Sequence, residues 1–109
     1  MTLPPKPLPT VLIVDDEPSI LDALQKVLTK ENMHVRVAQS GQQALDILRL
    51  HPVQVMITDL MMPGMTGEDL LKAVKAITPE VGVLVMTAYG TVENAVAAMK
   101  LGAYDFISK

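Results

Sequence analysis

Residues 11–19 have the sequence VLIVDDEPS, in which an apolar segment runs directly into three acidic side chains. The β-branched-rich run at residues 11–14 has the pattern of a strand that is covered on both faces of a sheet. Pro18 then falls in the first turn of a predicted helix, where the missing backbone N–H has no intrahelical partner to lose. The stretch therefore predicts a strand followed by a helix, with Asp15, Asp16 and Glu17 at their junction.

The same alternation of apolar strand and amphipathic helix recurs along the rest of the sequence. Further strands are predicted at residues 35–38, 53–58, 81–86 and 104–108, and helices are predicted after Ser40, from Thr66 or Gly67, and over residues 92–101, with Gly102 as a left-handed cap. Strands that alternate with helices of ten or more residues indicate a parallel sheet with helices on both faces and right-handed crossovers.

The composition indicates one domain with an aliphatic core. Half of the 109 residues are hydrophobic, only 3% are aromatic and eight are Met, so Val, Leu, Ile, Ala and Met must fill the interior. Residues 1–9 hold four prolines and predict a proline-rich tail ahead of a domain over residues 10–109. The net charge of −3 without a basic run argues against nucleic-acid binding by this domain.

The sequence also lacks the features of secreted or membrane proteins. It contains no cysteine, which excludes disulfides and thiolate metal sites and fits a reducing compartment. Neither a signal peptide nor an apolar run of membrane-spanning length is present. We therefore expect a cytoplasmic domain with no membrane contact.

Polar side chains follow the strands at one edge of the predicted sheet. Open parallel sheets bind ligands outside the carboxyl ends of their strands. In this chain those positions are Asp15 and Asp16 after the first strand, Asp59 after the third, Thr87 after the fourth and Lys109 after the fifth. We expect these five side chains to form one site.

The chemistry of that edge favours a divalent cation and a phosphoryl group. Two carboxylates about 4 Å apart repel each other by about 4 kcal/mol at an effective dielectric constant of 20. An all-oxygen donor set that must offset such repulsion suits Mg²⁺. Thr87 and Lys109 are donors suited to phosphate oxygens, and Asp59 is the carboxylate best placed to act as a nucleophile. The sequence therefore predicts an aspartyl phosphate at Asp59.

Four motifs in order carry a family resemblance. They are VLIVDDEPS, the buried run ending in Asp59 with MPGMTG behind it, VMTAYGT, and GAYDFISK. Over residues 10–109 the chain resembles the receiver domain of two-component response regulators. The resemblance implies a flavodoxin-like fold with strand order 2-1-3-4-5, and phosphate transfer to Asp59 from a phosphohistidine of a sensor histidine kinase. Such domains are signalling switches that assist their own phosphotransfer and dephosphorylation, and they are not classed as enzymes.

The resemblance also implies roles for the residues around Asp59. Asp16 and Asp59 would bind Mg²⁺ directly, Asp15 mostly through water, and Met61 through its backbone carbonyl. Thr87 and Lys109 would hold the phosphoryl oxygens.

Three further positions match residues that respond to phosphate in such domains. Phe106 matches the switch aromatic, which moves together with Thr87 and remodels the face of the fourth helix and fifth strand. Met61 and Tyr89 match positions that tune the lifetime of the phosphate.

The segment TVENAVAAMKLGAYDFISK is similar to receivers of the nitrogen-regulator class. Those receivers precede an ATPase that remodels RNA polymerase holding the alternative sigma factor, sigma-54, which implies a transcriptional output domain and a possible homodimer. Such receivers continue through a fifth helix, which we expect to be missing from this chain after Lys109, leaving one sheet face partly uncovered.

Three other functions are compatible with parts of the pattern. An aspartate-nucleophile phosphatase would need a second Asp two residues after Asp59, where Met61 stands. A flavin-binding module would need a phosphate-binding loop where residues 15–17 are acidic. A degenerate receiver that only binds partner proteins would normally have a broken acid cluster.

Individual residues also have simpler explanations. Asp15 and Asp16 could be acids favoured by a helix N-terminus, and Glu17 is expected to be a solvent-exposed acid of the first turn. Phe106 could simply pack in the core. Met61, Met62 and Met65 are expected in packing or at a partner surface rather than at a metal, and His34 and His51 are expected as surface histidines.

Overall fold

The computed structural model describes residues 8–87 and 92–108. Its strands are β1 (Thr10–Val14), β2 (His34–Ala38), β3 (Val55–Asp59), β4 (Gly82–Thr87) and β5 (Asp105–Ser108). Its helices are α1 (Pro18–Lys30), α2 (Gly41–Leu50), α3 (Gly67–Ile77) and α4 (Val92–Lys100). Within the described residues, the strands form one parallel sheet in the order β2-β1-β3-β4-β5. The predicted strand order is confirmed.

Two helices, α2 and α3, begin at residues whose side chains satisfy free backbone N–H groups of the first turn. Ser40 Oγ accepts a hydrogen bond from Gln43 N at 3.2 Å, as expected for the cap of α2. At α3, Thr66 Oγ1 accepts from Asp69 N at 3.1 Å, and Asp69 Oδ2 accepts from Thr66 N at 3.4 Å. This reciprocal capping box fixes the start of α3 immediately after the loop that follows Asp59.

The two faces of the sheet are covered to different extents. Leu12, Val14 and Met56 face a large cluster that includes buried residues of α2, α3 and α4. Val11 and Ile13, whose side chains alternate with the former, face a smaller cluster against α1. On this second face Leu84 is only half-buried, which agrees with the expectation of a partly uncovered sheet face.

The element boundaries differ slightly from the predicted ones. The third strand was expected from residue 53, but β3 begins at Val55, while Val53 is buried outside it. An apolar run marks the residues that are buried, whereas a strand is defined by its backbone pairing, so the two need not coincide. Gly102 has a φ of 111° and follows α4 in the left-handed region, as expected for a cap.

Candidate functional site

Parallel pairing brings the ends of β1, β3 and β4 to one edge of the sheet. Val14 pairs with Thr58 and Asp59 pairs with Met86. Asp15 follows Val14 and Asp59 follows Thr58, so Asp15 lies beside Asp59. Thr87 follows Met86, the partner of Asp59, and so lies one position further along β4. Neighbouring strands are about 4.8 Å apart. Asp15, Asp59 and Thr87 are all buried, with exposed fractions of 0%, 5% and 5%.

A group of three carboxylates at the start of α1 could hold a metal ion. Oxygen atoms of Asp15, Asp16 and Glu17 all lie within 4.8 Å of one another. Asp15 Oδ1 also accepts a hydrogen bond from Glu17 N at 2.9 Å, which fixes the turn between β1 and α1. Only hard oxygen ligands are offered, so the donor set fits Mg²⁺ or Ca²⁺ and does not favour a soft metal.

Glu17 belongs to this group, although its sequence position predicts a solvent-exposed acid and no ligand role. It is exposed, as expected for a first-turn acid, yet its carboxylate lies close enough to those of Asp15 and Asp16 to share an ion with them. The exposure of a first-turn acid can be predicted from the sequence, whereas the distance between the three carboxylates depends on the geometry of the turn.

The Asp59 side chain is held by the backbone of its own loop. Its Oδ1 accepts a hydrogen bond from Met61 N at 3.1 Å, and the Asp59 carbonyl accepts one from Thr58 Oγ1 at 3.1 Å. Leu60 N donates to Met86 O at 3.2 Å and so continues the ladder beyond Asp59. Asp59 is therefore the last residue of β3, and pairing of the next residue still fixes its backbone.

Gly67 is a positioning residue that sequence reasoning treated only as a possible helix start. A Cβ at this position would lie 2.6 Å from both the Asp59 carbonyl oxygen and Leu60 Cα. Gly67 N also donates to Leu60 O at 2.9 Å. The first residue of α3 is thus pressed against the backbone that carries Asp59, and only glycine leaves room for this contact.

The loop between β3 and α3 exposes one methionine and packs the other two. Met61 is 61% exposed, whereas Met62 is buried in the core. Met65 packs against the core and covers the first residue of α2, since a Cβ at Gly41 would come within 2.5 Å of Met65 Sδ. These contacts agree with packing roles for Met62 and Met65.

The remaining predicted site residues lie towards β4 and β5 or outside the described residues. Thr87 ends β4 and pairs with Ser108. Phe106 pairs with Val85 and is 41% exposed, so its ring does not simply fill the core. Tyr89 and Lys109 lie outside the described residues.

Asp15, Asp16 and Asp59 lie together at the carboxyl ends of β1 and β3, and we name this part of the sheet the acid edge. The fold and the acid edge together define a class of protein, namely α/β proteins with an acidic site at the carboxyl ends of a parallel sheet. Residues 11–109 match the family model described as "Response regulator receiver domain". The chain belongs to this family, which confirms the predicted identity.

Relatives with curated names support the predicted class. The transcriptional regulatory protein ZraR of Escherichia coli K12 is 41% identical over 99 residues, covering 91% of this chain and 22% of the relative. A putative NtrX-like response regulator of Rickettsia bellii is 41% identical over 101 residues, covering 91% of this chain and 21% of the relative. The predicted similarity to receivers of the nitrogen-regulator class is confirmed by the NtrX-like relative. The chain spans about a fifth of the length of these relatives.

Solved structures of the same kind superimpose closely. The receiver domain of NtrX from Brucella abortus matches with a TM-score of 0.88 and 34% identity, covering 91% of this chain and 84% of that one. A receiver domain protein from Clostridium thermocellum matches with a TM-score of 0.89 and 36% identity, covering 94% and 82%. Separately, none of the helices in the described part of the chain is long and apolar enough to span a bilayer.

Proposed function

We propose that this receiver domain accepts a phosphoryl group on Asp59 and signals through the resulting change at its surface. The observation that carries the proposal is the strand register, which brings Asp59 beside Asp15 and near Thr87 at one buried edge. A carboxylate oxygen of Asp59 attacks the phosphorus of a phosphohistidine on a sensor histidine kinase. The new O–P bond replaces the N–P bond, and the histidine nitrogen leaves with the electron pair of the broken bond and takes up a proton.

The acidic residues of this edge would hold Mg²⁺. Asp16 and Asp59 would bind it directly, Asp15 mainly through water, and Met61 through its backbone carbonyl. Bound Mg²⁺ would supply positive charge that offsets the carboxylates and attracts a phosphoryl oxygen. The hydrogen bond from Met61 N to Asp59 Oδ1 meanwhile orients the Asp59 carboxylate for attack.

The remaining residues act on the phosphoryl group or respond to it. The Thr87 hydroxyl and the Lys109 ammonium group donate to phosphoryl oxygens and stabilise the charge that spreads over them in the transition state. Movement of Thr87 towards the phosphate opens space for the Phe106 ring, which leaves its half-exposed position. Met61 and Tyr89 control the approach of water to the phosphate and so its lifetime.

The domain is proposed to act in the cytoplasm as one part of a longer regulator. Its relatives include proteins named as transcriptional regulators. We infer that phosphorylation of Asp59 changes the face formed by α4 and β5, and that this face controls an output domain, either directly or through a homodimer. A degenerate receiver that only binds partner proteins is less favoured, since the acid edge retains Asp15, Asp16 and Asp59.

Phosphorylation can be tested with a small-molecule donor. The chain is incubated with acetyl phosphate and Mg²⁺, and its intact mass is measured. We expect the gain of one phosphate, which is lost on removal of Mg²⁺ with a chelator and in Asp59→Asn. Asp46→Asn, which removes an exposed carboxylate on α2, is the matched control and should be labelled normally. Labelling that survives Asp59→Asn would refute the proposal.

A further inference from the structure

The opposite edge of the sheet gathers every histidine and arginine side chain of the sequence. The chain contains two histidines, His34 and His51, and its two arginines are Arg36 and Arg49. All four line two neighbouring grooves that share His51 and Pro52. Thr10 and His34 lie about 16 Å along the strands from the level of Asp15, and Arg36, which pairs with Leu12, lies about 10 Å from that level. This edge therefore belongs to no part of the site around Asp59.

The two grooves differ in charge. One has a volume of about 450 Å³, and its lining contains Thr10, His34, Arg36 and His51 but no carboxylate among the described residues. The other has a volume of about 530 Å³, and its lining includes both Arg49 and Glu80. The first groove, which we name the Arg36 groove, is therefore the one that keeps an excess of positive charge.

The arginines of the two grooves also differ in their ion pairs. Arg49 Nη1 lies 3.6 Å from Asp46 Oδ1 on the same helix. In contrast, no carboxylate within the described part of the chain forms an ion pair with Arg36. With no ion pair to the described residues, the Arg36 guanidinium can pair with an anion from solution, whereas that of Arg49 must first give up its existing pair.

The donors of the Arg36 groove come from rigid elements. His34 and Arg36 are two residues apart on β2 and so project from the same face of the sheet. Thr10 pairs with His34 in the adjacent strand, and His51 follows α2 directly. A guanidinium, two imidazoles and a hydroxyl form a donor set that matches the oxygens of a tetrahedral oxyanion.

We propose that the Arg36 groove binds a phosphate group, either as inorganic phosphate or as part of a small phosphorylated ligand. Arg36 supplies the permanent charge, and His34, His51 and Thr10 supply further donors. The groove is open to solvent and its side chains are largely exposed, so the binding is moderate in strength and weakens with salt. The proposal is independent of phosphorylation at Asp59.

The test is a titration of the full 109-residue chain with inorganic phosphate, without Mg²⁺ and at constant ionic strength set with chloride. The imidazole carbon–proton signals of His34 and His51 are followed by NMR, and each variant is checked for an unchanged melting temperature. We expect saturable shifts of both histidines. Arg36→Gln should weaken the binding by roughly ten-fold, as expected for losing a hydrogen bond to a charged group.

Two control variants make the outcome decisive. Arg49→Gln removes the same charge from the neighbouring groove and should leave the affinity unchanged, and Asp59→Asn should also leave it unchanged. Shifts that do not saturate, or an equal loss of affinity in Arg36→Gln and Arg49→Gln, would reduce the effect to general surface charge and overturn the proposal. Loss of the histidine shifts in Asp59→Asn would overturn it too, because it would assign the phosphate to the acid edge.

Discussion

Replacement of Gly67 with alanine should destabilise the domain through a single contact. The added Cβ would lie 2.6 Å from the Asp59 carbonyl oxygen and from Leu60 Cα. Ordinary contact begins near 3.4 Å, so the start of α3 and the end of β3 must separate by about 0.8 Å. Both nearest atoms belong to the backbone, and no side-chain rotation can relieve the overlap.

The size of the effect follows from two opposing terms. Overpacking of this kind typically costs about 1–3 kcal/mol. Replacing glycine by alanine in a helix stabilises the folded state by up to about 1 kcal/mol, because the unfolded chain loses backbone entropy. We therefore expect a net loss of about 1–2 kcal/mol, which corresponds to a melting temperature lower by roughly 5–15 °C for a domain of this size.

Urea and thermal unfolding followed by circular dichroism would measure this loss. Gly82→Ala is the matched control, because its Cβ would meet only Gln54 O at 3.8 Å, which is ordinary contact. It should not lower stability and should raise it by up to about 1 kcal/mol, through the same entropy effect without the overlap. If Gly67→Ala were as stable as the unmodified chain while Gly82→Ala behaved as expected, the result would refute the close contact between α3 and the Asp59 backbone.

Three further changes test other parts of the structure. Thr66→Ala removes the capping box of α3 and should lower the free energy of unfolding by about 1 kcal/mol, measured in urea, while Thr66→Ser should retain most of it. Leu70→Ala, at a fully buried position, should lower the free energy of unfolding by about 2–5 kcal/mol in the same assay. Its control is Val27→Ala, at a position 57% exposed, which should lower it by less than about 0.5 kcal/mol. Equal losses in the two variants would contradict the burial of Leu70. Asp16→Ala should lower Mg²⁺ affinity in a calorimetric titration more than Lys109→Ala does, and the reverse order would contradict the proposed roles.

The fold could be predicted because its determinants are local. Each strand is a short apolar run and each helix has an apolar stripe, so alternation alone indicated a parallel sheet. The site followed from the same reasoning, since residues after parallel strands must meet at one edge. Asp15, Asp59 and Thr87 do so in the predicted order.

Other features depend on contacts between distant parts of the chain and could not be found from local pattern. The fit of Gly67 against the Asp59–Leu60 backbone exists only once α3 has folded back onto β3. The packing of Met65 over Gly41 likewise joins two segments that are separated by α2 and β3. The carboxylate of Glu17 was assigned to solvent because its exposure was predictable, whereas its distance from Asp15 and Asp16 was not.

The hydrogen bond from Gly67 N to Leu60 O has a consequence for how this sequence can vary. It ties together the two ends of residues 61–66, so that the loop begins and ends at fixed points whatever lies between them. The entropy of closing a loop rises only slowly with its length. Insertions after Gly64, which has nothing within 4 Å of an added Cβ, should therefore leave the acid edge in place. Evolution can therefore lengthen this loop after Gly64 to suit a different partner, as long as Met61 keeps its hydrogen bond to Asp59.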